Sequence, residues 1–171
     1  MQTITPFLWF DDQAEEAANF YVSTFSSRAG SAAGRGETKI VEVAGYGEAG
    51  ARASGRPEGS AMTVTFQLDG QEFMALNGGP EFTFTEAVSF MVNCENQDEV
   101  DELWDKLSLG GEQGPCGWLK DRYGLSWQIV PTALGDMLSD EDPQKAERVM
   151  AAMLQMKKID IQALRQAYEQ E

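Results

Sequence analysis

The feature that most constrains the fold of this chain is a pattern that occurs twice, 84 residues apart. In each half an apolar strand leads into an amphipathic helix and further strands follow, so that Thr5 falls on Ser89 and Phe20 on Trp104. Almost no residues are identical between the halves, so the repeat lies in the hydrophobic pattern and not in the residues themselves. The order of strand, helix and strands, given twice, predicts an α+β fold of duplicated βαβββ modules.

The first half contains clear local signals. Residues 4–10 are apolar at successive positions, which predicts a strand covered on both faces. Asp12 stands three residues before Glu15, the spacing of a capping box, and the apolar stripe that follows predicts a helix over residues 13–25. Asp69-Gly70 separates two alternating segments and predicts a type I′ hairpin turn. Three further strands are predicted, over residues 38–44, 62–68 and 72–76.

The second half follows the same order. Residues 88–94 predict a strand, and Asn96 stands three residues before Glu99 as a candidate helix cap. An apolar stripe then predicts a helix, and two more strands are predicted over residues 117–120 and 125–130. Beyond them, Asp142-Pro143 and Asp160 are typical starts of two C-terminal helices.

These patterns predict three segments within one structural domain. The first module covers residues 4–80, the second covers residues 87–131, and a helical extension covers residues 132–171. The C-terminal helices carry broad apolar stripes that must be buried. They pack either against the protein's own sheet or against a second subunit.

Two segments rich in small residues, 29–36 and 47–60, are predicted to be mobile surface loops. Gly45–Gly50 matches G-x-G-x-x-G and follows a predicted strand. A dinucleotide site also needs a helix that starts at the glycines, and residues 51–60 show no apolar stripe and include Pro57. We therefore expect a plain glycine loop, and no cofactor loop of the kind that S-adenosylmethionine-dependent methyltransferases use.

Charge and composition exclude several classes of function. The chain has 28 acidic and 13 basic residues and a net charge of −15, which disfavours nucleic acids and anionic membrane surfaces as partners. Histidine is absent, which excludes Ser-His-Asp triads, imidazole bases and His-ligated zinc or iron. There is no basic and apolar N-terminal leader and no apolar run long enough to span a membrane. We expect a cytoplasmic protein with reduced thiols.

Four segments resemble a known superfamily. Residues 11–21 resemble the first strand–helix junction of the glyoxalase/bleomycin-resistance/vicinal-oxygen-chelate superfamily. Three others look like its PhnB-like, or 3-demethylubiquinone 3-methyltransferase-like, branch: residues 70–80, 86–92 and 116–131. The resemblance extends from about Thr3 to the C-terminal helices. It implies two modules that form an open, cupped mixed sheet around a cavity, usually in a homodimer.

The resemblance also implies where a metal site would lie. In metal-using members four side chains of the cup hold a divalent ion, and their positions fall here on Thr5, Met74, Ser89 and Gln128. None is a histidine or a carboxylate, and neutral groups bind divalent ions poorly without charged company. Glu72 is the only acid near them. We therefore expect no metal and no cofactor, and a cup whose ligand-binding residues are Thr5, Trp9, Met74, Ser89, Cys116, Trp118 and Gln128.

The function that the sequence favours is metal-free binding of a small organic ligand by a cup-shaped homodimer, with aromatic and cationic compounds as the candidate ligands, since the acidic field would attract cations. One alternative is a lyase, isomerase or dioxygenase-like enzyme that uses carboxylates such as Glu72, or a methyltransferase, as the label of the branch suggests. Another is a non-catalytic structural or regulatory dimer. Cys116 is expected to be a structural or cavity-lining thiol, because no histidine is present to act as its base.

Overall fold

Two mixed four-stranded sheets and six helices make up the described part of the chain, residues 3–28 and 35–170 of a computed structural model. The elements in chain order are β1 (Phe7–Phe10), α1 (Ala14–Ser26), β2 (Lys39–Gly45), α2 (Glu48–Ser54), β3 (Ala61–Leu68), β4 (Gln71–Asn77), β5 (Ser89–Cys94), α3 (Gln97–Ser108), β6 (Glu112–Gln113), β7 (Trp118–Lys120), β8 (Ser126–Pro131), α4 (Thr132–Leu138), α5 (Pro143–Met153) and α6 (Ile161–Glu169). The predicted α+β fold of duplicated βαβββ modules is confirmed.

The chain divides into two compact units, of which the first ends at Phe84 and the second contains Arg28 and the residues from Thr85 onwards. The first sheet has the strand order β1-β4-β3-β2 and the second β5-β8-β7-β6. In both, the first and last strands of the module are parallel neighbours and the other pairs are antiparallel. Phe7 pairs with Met74, and Met91, the residue 84 positions after Phe7, pairs with Gln128, so the first strands of the two modules keep the predicted offset.

Each sheet is covered by a helix on one face. In the first unit α1 packs on β3, where Tyr21 lies 6.1 Å from Phe66 between ring centroids. In the second unit α3 packs on β8, and the buried residues there include Trp127 and Ile129. The expectation that the first strand is covered on both faces is wrong, because Phe7 is 54% exposed while its neighbour Leu8 is buried. The opposite face of each sheet therefore stays open.

The start of α1 differs from the predicted capping box. The cap is Gln13 rather than Asp12, and its side chain makes no capping hydrogen bond. The buried Asn77, at the end of β4, instead accepts a hydrogen bond from Ala14 N–H at 2.7 Å through Oδ1 and donates to the Ala61 carbonyl at 3.0 Å. A residue 63 positions away thus satisfies one of the free N–H groups at this helix start.

Residues 47–60 are not the plain loop that the sequence predicted. The helix α2 begins at Glu48, directly after the glycine-rich segment, and no residue in it is buried. Because it has no fully buried face, it carries no apolar stripe, and the pattern did not predict it. The segment still lacks dinucleotide-site topology, since β2 and β3 on either side of it are antiparallel. Of the loop predicted over 29–36, residues 29–34 lie outside the described residues.

The later turns and helix starts follow the sequence closely. Asp69 and Gly70 both have positive φ, as a type I′ turn requires. The Asn96 side chain accepts from Glu99 N–H at 3.0 Å, and Asp142 and Asp160 cap α5 and α6 in the same way. The C-terminal helices form a small core of their own, made of Leu134, Met137, Val149, Ile159 and Leu164.

None of the described helices is both long and apolar enough to cross a bilayer.

The capping role of Asn77 leads to a stability prediction. We expect Asn77→Ala to lower the free energy of unfolding by about 2 kcal/mol, because it leaves the buried Ala14 N–H without this partner and removes the hydrogen bond to the partly buried Ala61 carbonyl. Urea denaturation measures the change. Asn19→Ala is the matched control, because the exposed Asn19 amide bonds only to the Glu15 carbonyl, and a change within about 0.5 kcal/mol is expected. Equal effects of the two variants would contradict the proposed role.

Candidate functional site

The open face of the second sheet is where the structure brings predicted site residues together. Met91, Gln128 and Trp118 lie side by side on β5, β8 and β7. The Gln128 amide donates a hydrogen bond from Nε2 to Ser89 Oγ at 2.9 Å. Both side chains are neutral, so this hydrogen bond carries no net charge at the positions where the resemblance implied metal ligands.

A cavity of about 370 Å³ opens in the same unit. Its volume lies within the range of small-molecule sites. The segments that form it are the turn before β5, the β6–β7 hairpin and the start of β8. Its lining residues are Glu86, Glu112, Gln113, Gly114, Pro115, Trp118, Leu119, Lys120 and Ser126.

The only ammonium group in the cavity lining belongs to Lys120, and two carboxylates hold it. Its Nζ lies 3.0 Å from Glu86 Oε1 and 3.1 Å from Glu112 Oε2, and Glu112 is its direct neighbour across the β6–β7 pair. Hydrogen bonds to Glu86 and then to Glu112 raise the pKa of Lys120, and the hydrogen bond from Lys120 is the main cause that lowers the pKa of Glu86. Both shifts favour the charged forms of Lys120 and Glu86 at neutral pH.

Ser126 lies deepest among the cavity-lining residues. It is 1% exposed, it pairs with Lys120 in the register of β7 and β8, and it shares the face of Gln128. Its hydroxyl has no hydrogen-bond partner among the described residues. A buried hydroxyl without a partner is costly and rare, so this group needs an explanation.

The turn between β7 and β8 fixes the position of these residues. The buried Asp121 accepts hydrogen bonds through Oδ1 from Tyr123 N–H at 2.8 Å and Leu125 N–H at 3.1 Å. Its Oδ2 accepts from the Trp127 indole N–H at 2.9 Å, on the helix-covered side of the sheet. The carboxylate therefore holds the hairpin rigidly, and with it the alternation that places Lys120 and Ser126 on the open face.

In the first unit an aromatic group covers part of the open face. Trp9 donates its indole N–H to the Gly79 carbonyl at 2.8 Å, and its ring meets Phe82 edge-on at 5.0 Å between centroids. A Cβ at Gly78 would lie 2.3 Å from the indole ring, so only glycine fits beside it. The Trp9 side chain is thus held in place by these contacts. Met74 lies one strand away, as the register partner of Phe7.

The predicted site residues divide between the units. Thr5, Trp9 and Met74 lie in the first, and Ser89, Trp118 and Gln128 lie together in the second. Cys116, also in the second, has φ +56° and directs its thiol to the Met153 carbonyl at 3.7 Å, on the side of the C-terminal helices. Their roles in ligand binding stay predictions.

Sequence reasoning did not single out four residues of the cavity as site residues: Glu86, Glu112, Lys120 and Ser126. Two of them could have been found from strand periodicity. Lys120 is two residues from Trp118 and Ser126 is two residues from Gln128, so each shares a face of its strand with a predicted site residue. The other two could not, because β6 has only two residues and Glu86 lies in a turn.

The donor set does not fit the divalent ion that the superfamily implies. Ser89 and Gln128 satisfy each other, and Met74 offers only a thioether. Within residues 3–28 and 35–170 no group of three or more His, Cys, Asp or Glu side chains is placed to hold a metal ion. Hard divalent cations prefer several charged oxygens, and zinc prefers thiolate or imidazole.

Comparison with known proteins identifies the family. A family model described as 3-demethylubiquinone-9 3-methyltransferase matches residues 2–130. The chain belongs to this family. A PhnB protein from Bacillus cereus, described as a putative 3-demethylubiquinone-9 3-methyltransferase, is 37% identical, with a TM-score of 0.61 over 77% of this chain and 100% of that one. A search of curated proteins found no significant match.

More distant structures share the fold of this PhnB-like chain. Protein PA1353 from Pseudomonas aeruginosa is 18% identical, with a TM-score of 0.56 over 77% of this chain and 98% of that one. FosX, a fosfomycin resistance protein from Listeria monocytogenes, is 13% identical, with a TM-score of 0.51 over 81% and 98%. The chain thus has the glyoxalase-superfamily fold. The three C-terminal helices lie beyond the region that the family model matches.

The contacts of Lys120 lead to a titration prediction. We expect Lys120→Met to raise the pKa of Glu86 towards the ordinary glutamate value, because the hydrogen bond that lowers it is lost. Carboxyl-carbon NMR during an acid titration measures the change. Lys106→Met is the matched control, since Lys106 pairs with Glu102 instead and its loss should leave Glu86 unchanged.

The same pairing affects stability with a defined sign. Because the folded pKa of Glu86 is lowered, the stabilisation is present at neutral pH and is lost as the pH falls through that lowered value. An unaltered titration of Glu86 in Lys120→Met would show that the two groups are not paired in solution.

Proposed function

We propose that this protein binds a small organic molecule on the open face of its second sheet without the help of a metal ion. The observation that carries the proposal is the hydrogen bond between Gln128 and Ser89, at the two positions of this sheet where metal-using relatives have ligands. A neutral donor and a neutral acceptor can exchange this bond for bonds to an organic ligand. The adjoining cavity of about 370 Å³ supplies the volume that such a ligand needs.

Calorimetric titration tests the independence from metal. We expect the purified protein to show no micromolar binding of Zn²⁺, Ni²⁺, Mn²⁺ or Fe²⁺, because serine and glutamine offer no charge to replace the water of the ion. Ser89→His combined with Gln128→Glu restores two ligands of the usual types and should bind Zn²⁺ at least about tenfold more tightly. Micromolar metal binding by the unchanged protein would overturn the proposal.

Catalysis by carboxylates is the less favoured function. The carboxylates that line the cavity, Glu86 and Glu112, are both held by Lys120, and the lowered pKa of Glu86 makes it a poor general acid at neutral pH. Glu72 lies in the other unit, across from Gln67 on the first sheet. The family carries the name of a methyltransferase, but the glycine-rich segment here leads into an antiparallel strand pair and gives no specific support to that activity.

We further propose a cytoplasmic homodimer. Large apolar side chains are exposed on the edge strands of both sheets, among them Phe7, Val43 and Met91, and burial against a second copy would remove them from water. Light scattering should give about twice the chain mass of 18.8 kDa. A single-chain mass at working concentration would contradict the dimer without affecting ligand binding.

A further inference from the structure

We propose that the ligand of the second sheet is a small, uncharged, ring-containing molecule with one hydroxyl or carbonyl group, and that this group bonds to Ser126. The inference rests on the proposed function, because it places the ligand on the same open face. It goes further by assigning the anchoring atom and the chemical class.

The unpartnered hydroxyl of Ser126 is the observation that points to an anchoring atom. It lies nine-tenths or more buried in the lining of the cavity, and no described residue bonds to it. A hydroxyl can donate or accept, so it can pair with either a carbonyl or a hydroxyl of a ligand. Without a ligand to bond this hydroxyl, alanine at this position would give a more stable fold, because it would bury no unsatisfied polar group.

The charges around the cavity indicate an uncharged ligand. Lys120 already has two carboxylate partners, so an anion that reached its remaining N–H would lie close to Glu86 and Glu112, which repel it. A cation could pair with Glu86 or Glu112 only in competition with the Lys120 ammonium that already contacts both of them. Bringing either charge to a buried neutral group costs more than bringing a neutral polar group there.

The apolar part of the cavity lining explains why we expect the ligand to contain a ring. Trp118 lines the cavity together with Pro115 and Leu119. An indole face offers a large apolar surface and favours stacked or edge-on contacts with another ring. One of the three N–H groups of Lys120 is still free to donate, so the ligand oxygen can lie between the ammonium and Ser126.

Three probes that share one ring and differ in charge test the class. Benzyl alcohol, benzoate and benzylammonium are titrated separately into the nitrogen-15-labelled full chain, and the amide and indole shifts are followed by NMR. We expect benzyl alcohol to bind with a Kd of about 1 mM and to shift the signals of Trp118 and Ser126. The charged probes should bind at least about tenfold more weakly, and equal or tighter binding of either one would overturn the proposal.

Ser126→Ala separates a ligand anchor from a structural residue. We expect it to weaken benzyl alcohol binding by about three- to tenfold, and to leave the melting temperature unchanged or higher, since it removes an unsatisfied buried group. Ser139→Ala is the control, because the exposed Ser139 bonds to its own helix at Gly135 and should leave probe binding unaltered. Undiminished binding by Ser126→Ala would contradict the anchor.

The two proposals fail in different ways. If neutral probes shift the signals of Ser89 and Gln128 but not those of Ser126 and Trp118, the assignment of the anchor is wrong and binding on the open face stands. If a broad screen of small molecules shifts none of these four signals, both proposals are wrong.

Discussion

The architecture of each unit depends on one constraint, which is that a single crossover helix serves four strands. The helix follows the first strand and returns the chain, so that the last strand of the module can pair with the first strand in parallel. All other strand connections lead to antiparallel neighbours and add no second helix layer to the opposite face. One face of each sheet is therefore buried, and the other is available for binding.

Much of this fold could be predicted because it depends on local periodicity. The two helices that cover the sheets have strong apolar stripes, and the turn at Asp69-Gly70 needs positive φ at both positions. The features that were missed depend on distant or absent contacts. Asn77 caps α1 from a strand 63 residues away in the sequence, and α2 has no buried face that could leave a pattern.

The candidate site was less predictable than the fold, for a related reason. The resemblance placed Ser89 and Gln128 at positions that hold metal ligands in metal-using members, and the structure shows them bonded to each other between β5 and β8. The contact between Lys120 and Glu112 depends on a pairing of β6 and β7 that is only two residues long, and no periodicity reveals so short a pairing. The isolation of the Ser126 hydroxyl is a property of its surroundings and cannot be read from the residue alone.

The overall charge of the chain is a poor guide to its pocket. A net charge of −15 sets a long-range field that favours cations in the surrounding water. Inside the cavity the field is local, where Lys120 balances one of its two carboxylates and Ser126 and Trp118 are neutral. Short-range desolvation there acts against any ion, whereas salt screens the distant charges within about 10 Å. Selectivity in such a pocket follows the nearest groups, so an acidic protein can still have a site for uncharged molecules.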